Sequence, residues 1–153
     1  MPAPYAHIAC CVDDSEMTDR VIEEAVKLRG LSPGKLSLVS AAPQPLAMTG
    51  VPGEWIPDSA DLSEIAGRWL RDRAAALKDA EPVLLEGYAP VAVCDWAAEA
   101  GCDLLVAGAH RGTVQRLMLG GFAAYLAYHA PCAVLLVRPP GEHKAAGDHK
   151  PTG

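Results

Sequence analysis

The sequence predicts a single α/β domain built on a five-stranded, mainly parallel, doubly wound sheet with helices on both faces. Three observations carry this. Apolar segments of strand length alternate with segments whose apolar residues recur at helical spacing. The strand-like segments are continuous apolar runs, the pattern of strands buried on both faces. The chain has 153 residues, one domain's length, and 50% of them are hydrophobic, enough to fill a core.

The first strand is expected at His7–Asp13, where Ile8-Ala9-Cys10-Cys11-Val12 runs into Asp13-Asp14-Ser15. A helix follows over Ser15–Arg29, with Met17, Val21, Ala25 and Leu28 on one face and Gly30 as its stop. Leu36–Ala41 reads as the second strand. Pro43–Ser59 holds four prolines, two glycines and Trp55, and is expected to be a long loop, either a binding segment or a surface excursion. Asp61 with Glu64 forms a capping-box-like start for a helix to about Asp79, with Leu62, Ile65, Trp69 and Ala76/Leu77 on one face.

Pro82–Glu86 is the expected third strand. Pro90 opens a helix that ends near Gly101, with Ala97 and Ala98 inward. Leu104–Ala107 is the fourth strand. Phe122, Tyr125, Leu126 and His129 repeat at i, i+3, i+4 and i+7 and mark a helix that Pro131 stops, and Ala133–Val137 is the fifth strand. Residues 1–138 are thus expected to form one domain, and residues 139–153, rich in Gly, Lys, His and Pro, a disordered tail.

Composition excludes several classes. The formal net charge is −6 and no Lys/Arg run forms a patch, so neither nucleic acid nor an anionic membrane is an expected partner. The apolar runs fall far short of the ~20 residues that span a bilayer. The start lacks the charged and apolar regions of a secretory signal, so a cytoplasmic protein is expected. The five cysteines form no C-x-x-C and lie in or beside apolar runs, as buried reduced thiols do; Cys10 and Cys11 must face opposite sides of their strand. No His sits at metal-ligand spacing, and neither a P-loop nor a G-x-S-x-G elbow occurs, so no catalytic residue is expected.

In such sheets ligands sit beyond the C-terminal ends of the strands, where the winding reverses. Asp13, Ala41 and Gly108 fall at those ends. The stretch Gly108-Ala109-His110-Arg111-Gly112, and after a gap Leu117-Met118-Leu119-Gly120-Gly121-Phe122, joins a strand to a helix through glycines. Glycines admit phosphate oxygens to the backbone, and a helix N-terminus offers free N–H groups; the same pattern also serves merely to turn a chain.

The chain resembles the universal stress protein family. The resemblance rests on Val12-Asp13-x-Ser15, Gly87-x-x-Pro90, Asp103-Leu104-Leu105-Val106, Gly108-x-His110, Arg116-Leu117-x-Leu119-Gly120 and His129-Ala130-Pro131-Cys132-Ala133-Val134-Leu135. It covers about Tyr5 to Arg138. It implies strand order 3-2-1-4-5 of the adenine-nucleotide α-hydrolase type. It also implies a homodimer through the last strand, Ala133 to Val137, and a non-enzymatic stress-response module that acts by dimerising and binding protein partners under the influence of ATP or AMP (with Mg²⁺). The alternative it leaves open is an ATP-binding member with slow hydrolysis; a nucleotide-dependent transferase would need an acceptor site the sequence does not show.

By the same resemblance Asp13, with Val12, stands near adenine or ribose and Ala41 beside the adenine, while His110, Arg111, Gly112, Gly120, Gly121 and Phe122 join Gly108 around the phosphates. Asp13 read by itself is equally a cap for the next helix. The ATP-binding pattern Gly-x2-Gly-x9-Gly-Ser/Thr is not met. Counted from Gly108 the second glycine falls on Arg111 and the closing pair on Gly121-Phe122; counted back from Gly120-Gly121 the first two fall on Ala107 and His110. The loop is one residue short, and it lacks the second glycine and the hydroxyl. Losing that hydroxyl weakens phosphate binding by about tenfold, which Arg111 offsets if it grips phosphate bidentately.

Overall fold

The computed structural model describes residues 4–13, 15–42, 59–109 and 121–139. Nine elements alternate along it: β1 (His7–Cys11), α1 (Thr18–Leu31), β2 (Lys35–Ala41), α2 (Ser59–Ala75), β3 (Ala80–Leu85), α3 (Ala89–Ala100), β4 (Leu104–Gly108), α4 (Gly121–His129) and β5 (Ala133–Val137). The strands form one all-parallel sheet in the order β3-β2-β1-β4-β5, as expected.

Side chains alternate across the strands and divide the core in two. Ile8 and Cys10, with Leu36, Leu38, Leu104 and Val106, pack beneath Val21 and Ala25 of α1 and Leu70 and Ala74 of α2. Ala9 and Cys11, with Val39, Leu105 and Ala107, pack against Val93 and Ala97 of α3 and Leu126 of α4. The adjacent thiols of Cys10 and Cys11 accordingly lie on opposite faces.

Several boundaries differ from expectation. β1 stops at Cys11, before Asp13, although Val12 N–H still donates to Val39 O at 2.9 Å. α1 begins at Thr18, because polar groups at Asp13 and Ser15 hold the intervening residues in turns. It runs through Gly30 and ends when Ser32 N–H reaches Leu28 O. α2 starts at Ser59, so Asp61 lies in its first turn instead of capping it, where its charge suits the helix dipole.

The inner face of α2 is carried by Leu70 and Ala74, and Ile65 is 65% exposed. The helix closes at Ala75 through a tighter turn, and Asp79, at φ 56°, redirects the chain so that β3 begins at Ala80. In α3, Ala97 is buried but Ala98 is exposed; Gly101 ends the helix in the left-handed conformation. In α4, Leu126 and Ala123 are buried, while His129 closes the helix in solvent with its ring 4.4 Å from Tyr125. Trp55 and the expected loop 43–58 lie outside the described residues, as does the expected tail beyond Pro139.

The middle of the sheet is tied down at its N-terminal rim. The Asp103 carboxylate accepts the N–H groups of Ala6 (2.7 Å) and His7 (2.9 Å). The buried His7 ring bonds Ser37 Oγ at 2.8 Å, meets Cys102 Sγ at 3.5 Å, and stands edge-on to Trp96. On the edge strand β3, Leu85 O receives Ala42 N–H, so by alternation Pro82 turns its missing donor outward, where a proline costs no ladder bond.

All five cysteines are free, and four are buried. Burial first, then the other thiols around them, pushes Cys11 and Cys102 up to about 12; burial also raises Cys10, Cys94 and Cys132. The folded protein therefore favours neutral thiols more than the unfolded chain does. Stability from this source is complete below pH ~9 and falls as pH rises from there toward ~12, by up to about 1.4 kcal/mol per thiol per pH unit. Urea unfolding between pH 7 and 10.5 is expected to show that decline, and replacing Cys11 with Ala or Val should shrink its slope.

Candidate functional site

The site follows from unequal strand lengths. The last β1 residue, Cys11, lies opposite Val39, but β2 continues through Ser40 and Ala41, which pair on their other side with Leu84 and Leu85 of β3. On the opposite flank β4 continues to Gly108 beside Val137. The central strand thus ends short of both neighbours. This is also where the winding reverses: β2 and β3 lie to one side of β1, β4 and β5 to the other.

A cavity of about 420 Å³ opens at that point, within the size range of small-molecule sites. Its walls come from both layers: Met17, Thr18 and Val21 of the α1 segment, and Ala89, Val93, Phe122 and Ala123 of α3 and α4. Between them lie the strand ends Cys11, Val12, Asp13, Val39, Ser40, Ala41 and Gly108, with Ser15 and Gly121 completing the rim.

Main-chain polarity follows from the ladder. Val39 O points to β1, where it receives Val12 N–H, and Ala42 N–H points to β3, where it reaches Leu85 O. Main-chain groups alternate sides along a strand. The N–H and C=O of Ala41 therefore face the side where β1 has already ended, with no main-chain partner among the described residues. Among the described residues, one donor and one acceptor thus stand without a main-chain partner on a single residue at the cavity wall.

The turn after β1 is built by short polar side chains. Asp13 Oδ1 accepts Ser15 N–H at 3.0 Å, and Ser15 Oγ accepts Met17 N–H at 3.3 Å. The buried Thr18 hydroxyl donates to Asp13 O. Asp13 thus shapes the turn ahead of α1 and does not cap it; Met17 holds the N-cap position without a side-chain bond. Asp13 is exposed and is the one charged side chain among the described lining residues.

Of the residues singled out from sequence, the structure brings Val12, Asp13, Ala41, Gly108, Gly121 and Phe122 around this one cavity. His110, Arg111, Gly112 and Gly120 lie outside the described residues. Sequence reasoning missed Met17, Thr18, Ser40, Ala89 and Val93. Ser40 carried a signal, a hydroxyl in an otherwise apolar strand end; Ala89 and Val93 carried none. Among the described residues no group of three or more His, Cys, Asp or Glu is placed to hold a metal ion.

The universal stress protein family model matches residues 4–138. No curated protein sequence matches the chain. Among solved structures, it is similar to the universal stress protein UspA from Lactobacillus plantarum, at 23% identity and TM-score 0.68, covering 89% of this chain and 99% of that one. A universal stress protein in complex with cAMP is 25% identical, with TM-score 0.64 over 87% of this chain and 97% of that one. A family protein from Arabidopsis thaliana with AMP bound is 14% identical, with TM-score 0.60 over 93% and 97%.

Gly108 faces the start of α1 at close range: a Cβ there would stand 3.3 Å from Met17 Cβ and 3.4 Å from Val21 Cγ2. Gly108→Ala is expected to push α1 outward and to lower stability by about 1 kcal/mol, a fall in Tm of about 3 °C. Gly121→Ala, whose Cβ meets nothing within 4 Å among the described residues, should not lower it. Equal melting temperatures for Gly108→Ala and the parent protein would show that this approach is not tight.

Proposed function

The chain belongs to the universal stress protein family, and on that footing we propose that it is a non-enzymatic stress-response module whose cavity takes ATP or AMP and which acts by dimerising and binding partners. The observation that carries the nucleotide reading is the free N–H and C=O of Ala41 beyond the end of β1. The N–H can donate to a ring nitrogen and the C=O can accept an exocyclic amine, the pair of groups an adenine presents side by side. Apolar walls at Val39, Val93 and Phe122 suit the faces of a flat ring. Two structural relatives are described as holding cAMP and AMP.

On this reading the phosphates run toward Gly121. The first turn of α4 offers free N–H groups there and contains no acidic side chain. The net charge of −6 opposes a polyanion at long range, so local groups must supply the attraction. Mg²⁺ enters with a triphosphate as its counter-ion.

Titration calorimetry with ATP and AMP, each with and without Mg²⁺, is expected to show binding with Kd at or below about 1 mM. No heat at millimolar ligand would end the nucleotide reading. Ala41→Pro removes the free N–H without costing a sheet hydrogen bond, and should weaken binding by about tenfold while circular dichroism stays unchanged.

The dimer reading rests on β5. Among the described residues it is an edge strand bonded only to β4, and its apolar Val134, Leu135 and Leu136 are only half-buried. Pairing between copies would cover that edge. Arg138 and Pro139 follow at once, exposed, and end the strand. Among the described residues no helix is long and apolar enough to cross a membrane, and five free thiols suit the reducing cytoplasm we propose as its compartment. Light scattering at micromolar concentration should give about twice the 16.0 kDa chain mass; a monomer alone would overturn this part of the reading.

A further inference from the structure

We propose that Ser40 is a specificity residue of the cavity, its hydroxyl bonding a polar atom of the ligand's purine ring; the proposal rests on the nucleotide reading above. Strand β2 carries two buried serines, Ser37 at 0% exposure and Ser40 at 9%. The hydroxyl of Ser37 is committed to His7 Nε2 at 2.8 Å. The hydroxyl of Ser40 makes no hydrogen bond among the described residues.

Hydroxyls this deeply buried nearly always have a partner, and an exception calls for a reason. Among the described residues no sealed side-chain nitrogen or oxygen lacks a partner. Ser40 Oγ is therefore not sealed; it opens onto the cavity that Ser40 lines.

The surroundings leave the partner to the ligand. Alternation puts the Ser40 side chain on the α1 side of the sheet with Leu38; the cavity-lining residues of that core layer, Val12, Met17 and Val21, offer it no strong hydrogen-bonding group. Of the two hydroxyls on that segment, that of Thr18 already donates to Asp13 O and that of Ser15 accepts Met17 N–H. The Ser40 main chain lies in register with Leu84 of β3, so only its side chain is uncommitted. Ser40 adjoins Ala41, the residue that reads the base edge, and lies on a different element from Gly121, where phosphates are expected. A base atom is thus the fitting partner, and a hydroxyl, donor and acceptor at once, serves a ring nitrogen or an exocyclic amine.

The experiment compares Ser40→Ala with Ser37→Ala in the full chain. Without ligand, Ser40→Ala should melt within about 1 °C of the parent, because no protein hydrogen bond is lost, whereas Ser37→Ala should melt several degrees lower. Calorimetry with adenosine, which has no phosphate, should show Ser40→Ala binding about fivefold to tenfold more weakly. Purine riboside lacks the exocyclic amine, which Ala41 also reads, and 7-deazaadenosine lacks one ring nitrogen; for one of these the loss of affinity should be smaller in Ser40→Ala than in the parent, the mark of a direct pair. Unchanged adenosine affinity in Ser40→Ala, meaning that the hydroxyl holds only water, would overturn the proposal. So would penalties for both analogues that are as large in the variant as in the parent, or a fall in Tm matching that of Ser37→Ala. A parent protein that binds neither adenosine nor ATP would instead end the nucleotide reading itself.

Discussion

Everything at the cavity end of this protein depends on a central strand that stops early. β1 leaves the sheet after Cys11, while β2 runs on to Ala41 and β4 to Gly108. Were β1 longer by three residues, its main chain would take up the N–H and C=O of Ala41 and fill the gap. Its register is held at both ends. Asp103 grips the N–H groups of Ala6 and His7 at one rim, and Val12 donates to Val39 at the other. A slip by one residue would also exchange Cys10 and Cys11 between the two core layers, so side-chain packing and main-chain bonding enforce the same register.

The cavity is therefore made by the fold itself, at a place where the chain must bend. Asp13, Ser15 and Thr18 satisfy local main-chain groups and turn the chain out of the sheet into α1. Small residues keep the space open. Ala41 and Ala89 leave room at its wall, and Gly108 lets α1 approach the sheet so closely that Met17 and Val21 become lining residues.

The element order, the continuous apolar strands and the strand-end residues Val12, Asp13, Ala41 and Gly108 were legible because each rests on local pattern: apolar runs, helical spacing, glycines at strand-to-helix joints. The errors share a cause. Helical spacing places the start of α1 at Ser15, because spacing does not reveal that Asp13 and Ser15 spend their polar groups on turns. Ile65 was placed inward on periodicity, yet Leu70 and Ala74 set the face that meets the sheet. Ala98 is apolar at a helical position but lies outside the stripe that α3 presents.

Local chemistry written in one dimension thus dictated what kind of elements form, in what order, and which residues fall at their ends. Three-dimensional packing alone decided how far each strand outruns its neighbour, which of two similar serines finds a partner, and which helical face meets the sheet. The physical reason is that propensity and periodicity act within a few residues. Strand mismatch and hydrogen-bond satisfaction are relations between segments far apart in the chain, and have no value until those segments meet.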